Sequence, residues 1–197
     1  MASAGLLHEQ FDDLAQQREA ATLGMWVFLL TEVMLFGGLL LGYTIYRVTY
    51  PEAWAEASHH LFERIGAANT AVLLTSSLTM ALAVRAAGDG RRRALITLLG
   101  LTALLGLAFL GVKGVEYWLD VKDGALPVFA FDAARFREPA RAELFLVFYW
   151  VMTGLHATHL TVAVGAVGAL TVMAWRGAFV PAQHDAVEAT GLYWHFV

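Results

Sequence analysis

The sequence predicts an all-α fold, a polytopic transmembrane helix bundle with four complete spans and the start of a fifth. Three observations predict it. Of the 197 residues, 58% are hydrophobic and 15% are charged, whereas soluble domains run at roughly half apolar and about a quarter charged. The mean hydropathy is +0.58, too apolar for one globular core of this length. The apolar residues also fall in long runs, each of which exceeds the ~30 Å of hydrocarbon at ~1.5 Å per residue. Lipid offers the backbone no hydrogen bonds, and the runs are too long for barrel strands, so each run is predicted to be a helix.

The spans are expected over about residues 23–46, 66–87, 94–118 and 143–175, with an incomplete segment over 188–197, all in a single transmembrane domain covering 1–197. The fourth is long enough to tilt or to protrude from the bilayer. Residues 1–20 carry Glu9, Asp12, Asp13, Arg18 and Glu19, and read as a polar or amphipathic lead-in rather than a secretory signal. Gly37, Gly38 and Gly42 in the first span, and Gly154, Gly165 and Gly168 in the fourth, are expected to let helix backbones approach closely. Polar connectors separate the spans. One holds Pro51, His59 and His60; another is a tight turn at Gly88, Asp89 and Gly90, flanked by four arginines; the longest runs over 120–141 with Pro127 and Pro139 at turns. No soluble domain and no sequence repeat is visible.

Charge and composition exclude several functions. A net charge of -4 and a pI near 5.9 argue against nucleic acid as a partner, which wants a clustered basic face. With no cysteine, thiolate catalysis, iron–sulfur clusters and thiolate-bridged copper are excluded within the chain. Basic residues do not orient the bundle. With the N-terminus inside, Arg18, Arg85, Arg91, Arg92, Arg93 and Arg176 fall on the cytoplasmic side, and Arg47, Arg64, Lys122, Arg135, Arg137 and Arg141 fall outside. Only the density of the Arg85–Arg93 turn favours placing it inside.

The polar residues within the spans are the candidate functional groups. Glu32 lies near mid-depth of the first span, where a carboxylate is costly unless protonated, paired or facing protein. It is either a proton-exchanging group or a neutral carboxyl bonded across a helix interface. His156 and His159 share one face of the fourth span. Metal or haem ligation, a bond to Glu32 or to a partner subunit, and a neutral interhelical contact all fit them. Two histidines on one helix supply only part of a metal shell, and a haem held by two histidines usually takes one from each of two helices. Lys113 and Glu116 are spaced for an intrahelical ion pair, which lowers the cost of burying either, and a proton relay is the other reading. Asn69 is expected at a helix end or in an interhelical bond. Trp26, Tyr46, Trp118, Tyr149, Trp150 and Trp175 fall mostly near span ends as interfacial anchors.

These residues form a pattern that resembles subunit III of haem-copper oxidases across nearly the whole chain. The run Gly24-Met25-Trp26-Val27-Phe28-Leu29-Leu30-Thr31-Glu32 is similar to the family's helix bearing a buried, carbodiimide-reactive carboxylate. Ala68-Asn69-Thr70-Ala71-Val72-Leu73-Leu74 resembles the start of its next helix, and Glu116-Tyr117 the pair that closes the third. Thr153-Gly154-Leu155-His156-Ala157-Thr158-His159-Leu160 resembles its Thr-Gly-x-His-x-x-His-Val, with Leu160 in place of valine. Tyr193-Trp194-His195-Phe196-Val197 matches its Tyr-Trp-His-Phe-Val. Each motif is weak alone; five in the right order and spacing are specific.

The resemblance implies a short, five-helix form of a non-catalytic, non-redox subunit in a proton-translocating cytochrome c or quinol oxidase of aerobic respiration. It implies a multi-pass protein of the bacterial inner membrane with a cytoplasmic N-terminus. No haem or copper is expected in this chain, since both belong to partner subunits. The expected partners are oxidase subunits I and II, membrane lipid and further respiratory complexes. Packing on subunit I, phospholipid in a helix cleft, and support of proton uptake and turnover stability are implied as well. Carried over residue by residue, Glu32 is the buried carboxylate, and Glu116, His156, His159 and His195 are its polar neighbours, with Lys113 beside Glu116. Two departures stand out. The family continues past Tyr-Trp-His-Phe-Val with an aspartate and an apolar stretch that completes the last helix, so residues 188–197 are expected to begin a span that the sequence does not finish. The connector over 120–141 is longer and richer in arginine than the common form. That keeps open a subunit III-like accessory protein of a nitric oxide reductase. A stand-alone ion carrier built on Glu32, Lys113 and Glu116 would be expected to show broken helices and repeated halves, and neither is found.

Overall fold

A computed structural model describes residues 10–59, 61, 63–177, 179 and 184–197. In chain order the elements are α1 (Leu14–Thr49), α2 (Pro51–His59), α3 (Glu63–Gly88), α4 (Arg92–Lys122), β1 (Ala125–Leu126), β2 (Ala130–Phe131), α5 (Pro139–Arg176) and α6 (Asp185–Phe196), with a single 3-10 turn at Ala133–Arg135. Four of these helices, α1, α3, α4 and α5, are long and apolar enough to cross a membrane. They carry the four apolar runs, and α6 carries the Tyr-Trp-His-Phe motif.

The helices run past the apolar windows because a helix is ended by its caps and not by the edge of the hydrocarbon. Asp13 caps α1, its side chain accepting from the Gln16 amide at 2.7 Å, as N-cap aspartates do. The lead-in predicted over residues 1–20 is therefore the first turns of α1 from Leu14 onward, while residues 1–9, like His60, lie outside the described residues. Pro139 opens α5, where its missing N–H costs nothing. Gly177, with φ at +80°, closes α5 in the left-handed conformation that glycine accepts without strain. The connector after α1 folds as α2, opening on Pro51.

The long connector also has structure that the sequence reading did not anticipate. Its strands pair antiparallel, Ala125 with Phe131 and Leu126 with Ala130. The Glu143 carboxylate accepts from the Val128 amide at 3.0 Å, and the Ala125 carbonyl accepts from Trp150 Nε1 at 3.1 Å. The hairpin is thereby pinned to α5.

The core lies between α3, α4, α5 and α6, where Met80, Leu99, Leu160, Val167, Val187 and Trp194 are buried. At one end Arg92 donates to the Ala174 carbonyl at 3.0 Å and, in a very short contact, to the Trp175 carbonyl. A cation thus satisfies the terminal carbonyls of α5, where the helix dipole is negative. α1 stands apart, packing on α5 and α6 and on α2. A second cluster, at the far end, gathers Trp54, Ala57, Phe136, Ala142, Phe145 and Leu146.

The glycines are used differently from the expectation. A Cβ at Gly37, Gly38, Gly154, Gly165 or Gly168 would meet nothing within 4 Å, so among the described residues no neighbouring helix closes on those positions. Gly42 is near Phe148, with 3.2 Å to a built Cβ. At Gly191 a Cβ would sit 2.9 Å from Val84 Cγ2, and the tightest approach is at Gly106, where one would sit 2.7 Å from both Trp194 Cη2 and Val164 Cγ2. α4, α5 and α6 meet there, and no spacing pattern marks Gly106 in the sequence. Gly106→Ala is expected to destabilise the detergent-solubilised chain by about 1–3 kcal/mol, lowering its melting temperature, while Gly165→Ala leaves it unchanged.

Candidate functional site

Two polar sites are built inside the bundle. The first forms where α1 meets α5 and α6. On α1, Phe28, Glu32 and Phe36 follow one another at i, i+4 and i+8, so they share a face. Phe28 packs on Tyr193 with ring centroids 5.7 Å apart, and Phe36 packs on His159 at 5.4 Å and on Phe196 at 6.1 Å. Between them Glu32 Oε2 lies 2.9 Å from His159 Nε2, with the two side chains 13% and 16% exposed. The approach is close, but it lacks the alignment of a full hydrogen bond.

Proton accounting follows from the other ring nitrogen. His159 Nδ1 lies 2.8 Å from the Leu155 carbonyl. A carbonyl only accepts, so Nδ1 carries a proton. Favourable contact across the Glu32–His159 gap then requires one proton, carried on the carboxyl or on Nε2. Both arrangements have zero net charge, which suits burial in hydrocarbon. Tyr193 reinforces the seam by donating from Oη to the His159 carbonyl at 3.2 Å.

The second site joins α4 to α5. Lys113, Glu116 and Asp120 fall at i, i+3 and i+7 on one face of α4. Lys113 Nζ donates to Glu116 Oε1 and to Tyr149 Oη, both at 2.8 Å. Tyr149 Oη has one proton, which it directs to Glu116 Oε1 at 2.7 Å or to Asp120 Oδ2 at 3.3 Å. Tyr117 donates to Thr153 Oγ1 at 2.7 Å. Glu116 and Asp120 are 4% and 2% exposed. One ammonium thus faces two buried carboxylates, and the rings of Tyr117 and Tyr149 lie 5.1 and 4.7 Å from it, a cation–π arrangement.

The structure brings His159 to Glu32 and Lys113 to Glu116, but it does not gather all six predicted residues into one network. Tyr149 and His159 are about 15 Å apart along α5 at ~1.5 Å per residue, so Glu116 and Glu32 occupy different depths. His156 packs edge-on against Phe109 of α4, with centroids 5.7 Å apart. His195 lies across α6 from this seam, its Nδ1 2.6 Å from Ser77 Oγ of α3, and neighbouring Trp194 donates to Ser76 Oγ at 3.3 Å. Asn69 makes an interhelical bond, donating to the Phe109 carbonyl at 3.3 Å. Among the described residues no three His, Cys, Asp or Glu side chains converge to hold a metal ion.

Asp120 and Tyr149 were not among the predicted site residues. Asp120 falls in α4 because that helix runs to Lys122. Its signal in the sequence is the i+4 spacing from Glu116. Tyr149 has the position of an interfacial anchor in the sequence, but its side chain faces α4 and bridges Lys113, Glu116 and Asp120. Lys113→Met would leave two buried carboxylates without their cation, and loss of one partner from such a group costs about 3–5 kcal/mol. A large fall in melting temperature is expected, relieved in part by adding Glu116→Gln.

Comparison with known proteins gives this architecture a lineage. The family model for cytochrome c oxidase subunit III matches residues 10–197. Cytochrome c oxidase subunit 3 of Synechocystis is 30% identical over 178 residues, covering 88% of this chain and 68% of the relative. Cytochrome bo(3) ubiquinol oxidase subunit 3 of Pseudomonas aeruginosa is 28% identical over 177 residues, covering 88% and 77%. A chain named heme-copper oxidase subunit I+III, from Aeropyrum pernix, is 31% identical over 181 residues, covering 88% of this chain and 20% of the relative. With a match this long, spanning the α1 carboxylate, the paired histidines of α5 and the α6 motif, the chain belongs to the cytochrome c oxidase subunit III family.

Proposed function

We propose that the chain serves as the non-redox subunit III of a bacterial haem-copper terminal oxidase, docked on catalytic subunit I and supporting its proton uptake. The observation that carries this reading is the Glu32–His159 pair in the seam between α1 and α5. A carboxyl and an imidazole that share one proton hold it at mid-membrane without net charge, and they can exchange it if a donor or acceptor comes near. Among the described residues no metal-binding cluster accompanies the pair, and in this reading the proton serves a neighbouring subunit.

The outer surface of α1 fits such a neighbour. Only 6% of its apolar window is buried within the chain, against 28% for each of the other three spans. Leu30, Met34 and Leu41 are more than half exposed there. The relative from Aeropyrum pernix, named as a joined subunit I+III, supports placing the two side by side. The named relatives are oxidases using cytochrome c or ubiquinol, which favours an oxidase over a nitric oxide reductase as the host. In this reading the N-terminal end, with Arg18, Arg92 and Arg176, faces the cytoplasm.

Tagging the chain and purifying it in mild detergent from its native membrane is expected to bring down haem-bearing subunits I and II that consume oxygen. Recovery of the chain alone, or with a nitric oxide-reducing partner, would contradict the assignment. In the same complex Glu32→Gln is expected to assemble normally yet to shorten the number of turnovers before inactivation. Glu32→Ala, which leaves a buried imidazole nitrogen unpartnered, is expected to cost a further ~1–3 kcal/mol of stability. Unchanged assembly and turnover lifetime in both variants would remove Glu32 from the proposed role.

A further inference from the structure

A cavity of about 360 Å³ borders the α4–α5 site, with far more room than a single water takes. Lys113, Glu116 and Tyr149 form its polar side, and Tyr43 of α1, Leu61, and Phe145 and Met152 of α5 form its apolar side. The bonding on the polar side is incomplete. Glu116 Oε1 accepts from Lys113 and from Tyr149, whereas Glu116 Oε2 is buried and has no donor among the described residues. The Glu116 side chain is 5% exposed. A buried carboxylate oxygen ordinarily finds a partner, because leaving it without one is costly. Lys113 uses two of its three N–H donors, on Glu116 and Tyr149. One acceptor and one donor therefore remain on adjoining residues of the same lining.

Depth, charge and shape identify the class of ligand. Lys113 and Glu116 belong to α4, one of the four helices apolar enough to cross a membrane, so a ligand that reaches them is membrane-soluble. The two are already paired at 2.8 Å, so the complement to them carries no net charge. A hydroxyl is such a group, donating and accepting at once. The serine and threonine of the lining do not supply it, since Ser58 donates to the Ala55 carbonyl and Thr153 to the Tyr149 carbonyl of their own helices. The body of the ligand follows from the other walls. Tyr43 and Phe145 pack with centroids 6.3 Å apart, and Tyr149 adds a third ring to the lining. Walls of this kind favour an aromatic guest, through edge-to-face and offset contacts.

We infer that this cavity binds a neutral, membrane-soluble phenol. Its hydroxyl donates to Glu116 Oε2 and accepts from Lys113 Nζ, and its ring lies against Tyr43 and Phe145. Binding involves no electron or group transfer, and the inference does not depend on which complex the chain joins.

The test is native mass spectrometry of the full-length chain, titrated in mild detergent with p-decylphenol or with its methyl ether. The ether keeps the ring and the tail but has no proton to donate. The wild type is expected to retain one phenol about tenfold more tightly than the ether, the scale of a hydrogen bond to a charged group. Gly66→Leu adds bulk at a lining position where a Cβ meets nothing within 4 Å. It is expected to abolish retention of both ligands without lowering the melting temperature. The double variant Lys113→Met with Glu116→Gln keeps the rings and is expected to hold phenol and ether equally weakly. Equal retention of the two ligands by the wild type would overturn the inference, marking a hydrated or acyl-filled cavity instead. Undiminished phenol binding by Gly66→Leu would overturn it too, as would a preference for the phenol that survives in the double variant.

Discussion

Hydrocarbon supplies no hydrogen bonds, and nearly every feature of this chain answers that constraint. It forces the backbone into helices. It also turns hydroxyls inward: Thr44, Thr70, Thr75, Thr97 and Thr158 each donate to the carbonyl four residues earlier on their own helix. Charged groups need more than this, and the two buried sites answer the need differently. Glu32 finds its partner on another helix, so it couples α1 to the bundle. Lys113 and Glu116 find each other within α4, with Tyr149 of α5 as the third member.

That difference has mechanical weight. The α3–α4–α5–α6 core is held by apolar packing around Leu99, Val167 and Trp194 and by the contact of Gly106 with its neighbours. α1 shares little of that packing: Phe28, Glu32 and Phe36 hold its middle against α5 and α6, and Tyr43 and Tyr46 pack on Phe145 and Phe148 of α5 further along. A polar pair at the centre of an apolar stripe fixes register, because sliding α1 by a turn would strand both the carboxyl and the imidazole.

Periodicity and solvent made the fold legible. The apolar runs located the four spans, and the Lys113–Glu116 spacing foretold their ion pair. The Glu32–His159 contact was one of several readings left open by the residues, since it depends on how α1 sits against α5. What stayed hidden came from tertiary geometry. Asp120 looked like connector because Trp118 resembles a span end, yet backbone hydrogen bonding carries α4 to Lys122. The glycines chosen by spacing face open space, whereas Gly106 matters because Trp194, far along the sequence, lands on it. The two-residue strands had no alternating pattern to reveal them; cross-links to Glu143 and Trp150 of α5 hold the hairpin in place.

The order of synthesis gives the Glu32–His159 contact a further meaning. The carboxyl emerges from the ribosome roughly 130 residues before its imidazole, which at ~5–20 residues per second is a wait on the order of ten seconds. During that interval α1 has to reside in the bilayer with no mate for Glu32, an arrangement that costs free energy in lipid. Arrival of α5 ends the vigil. Only a nascent polypeptide completed at least that far can quench the exposed acid, and a prematurely stopped one carries a lasting mark of its own incompleteness within the membrane.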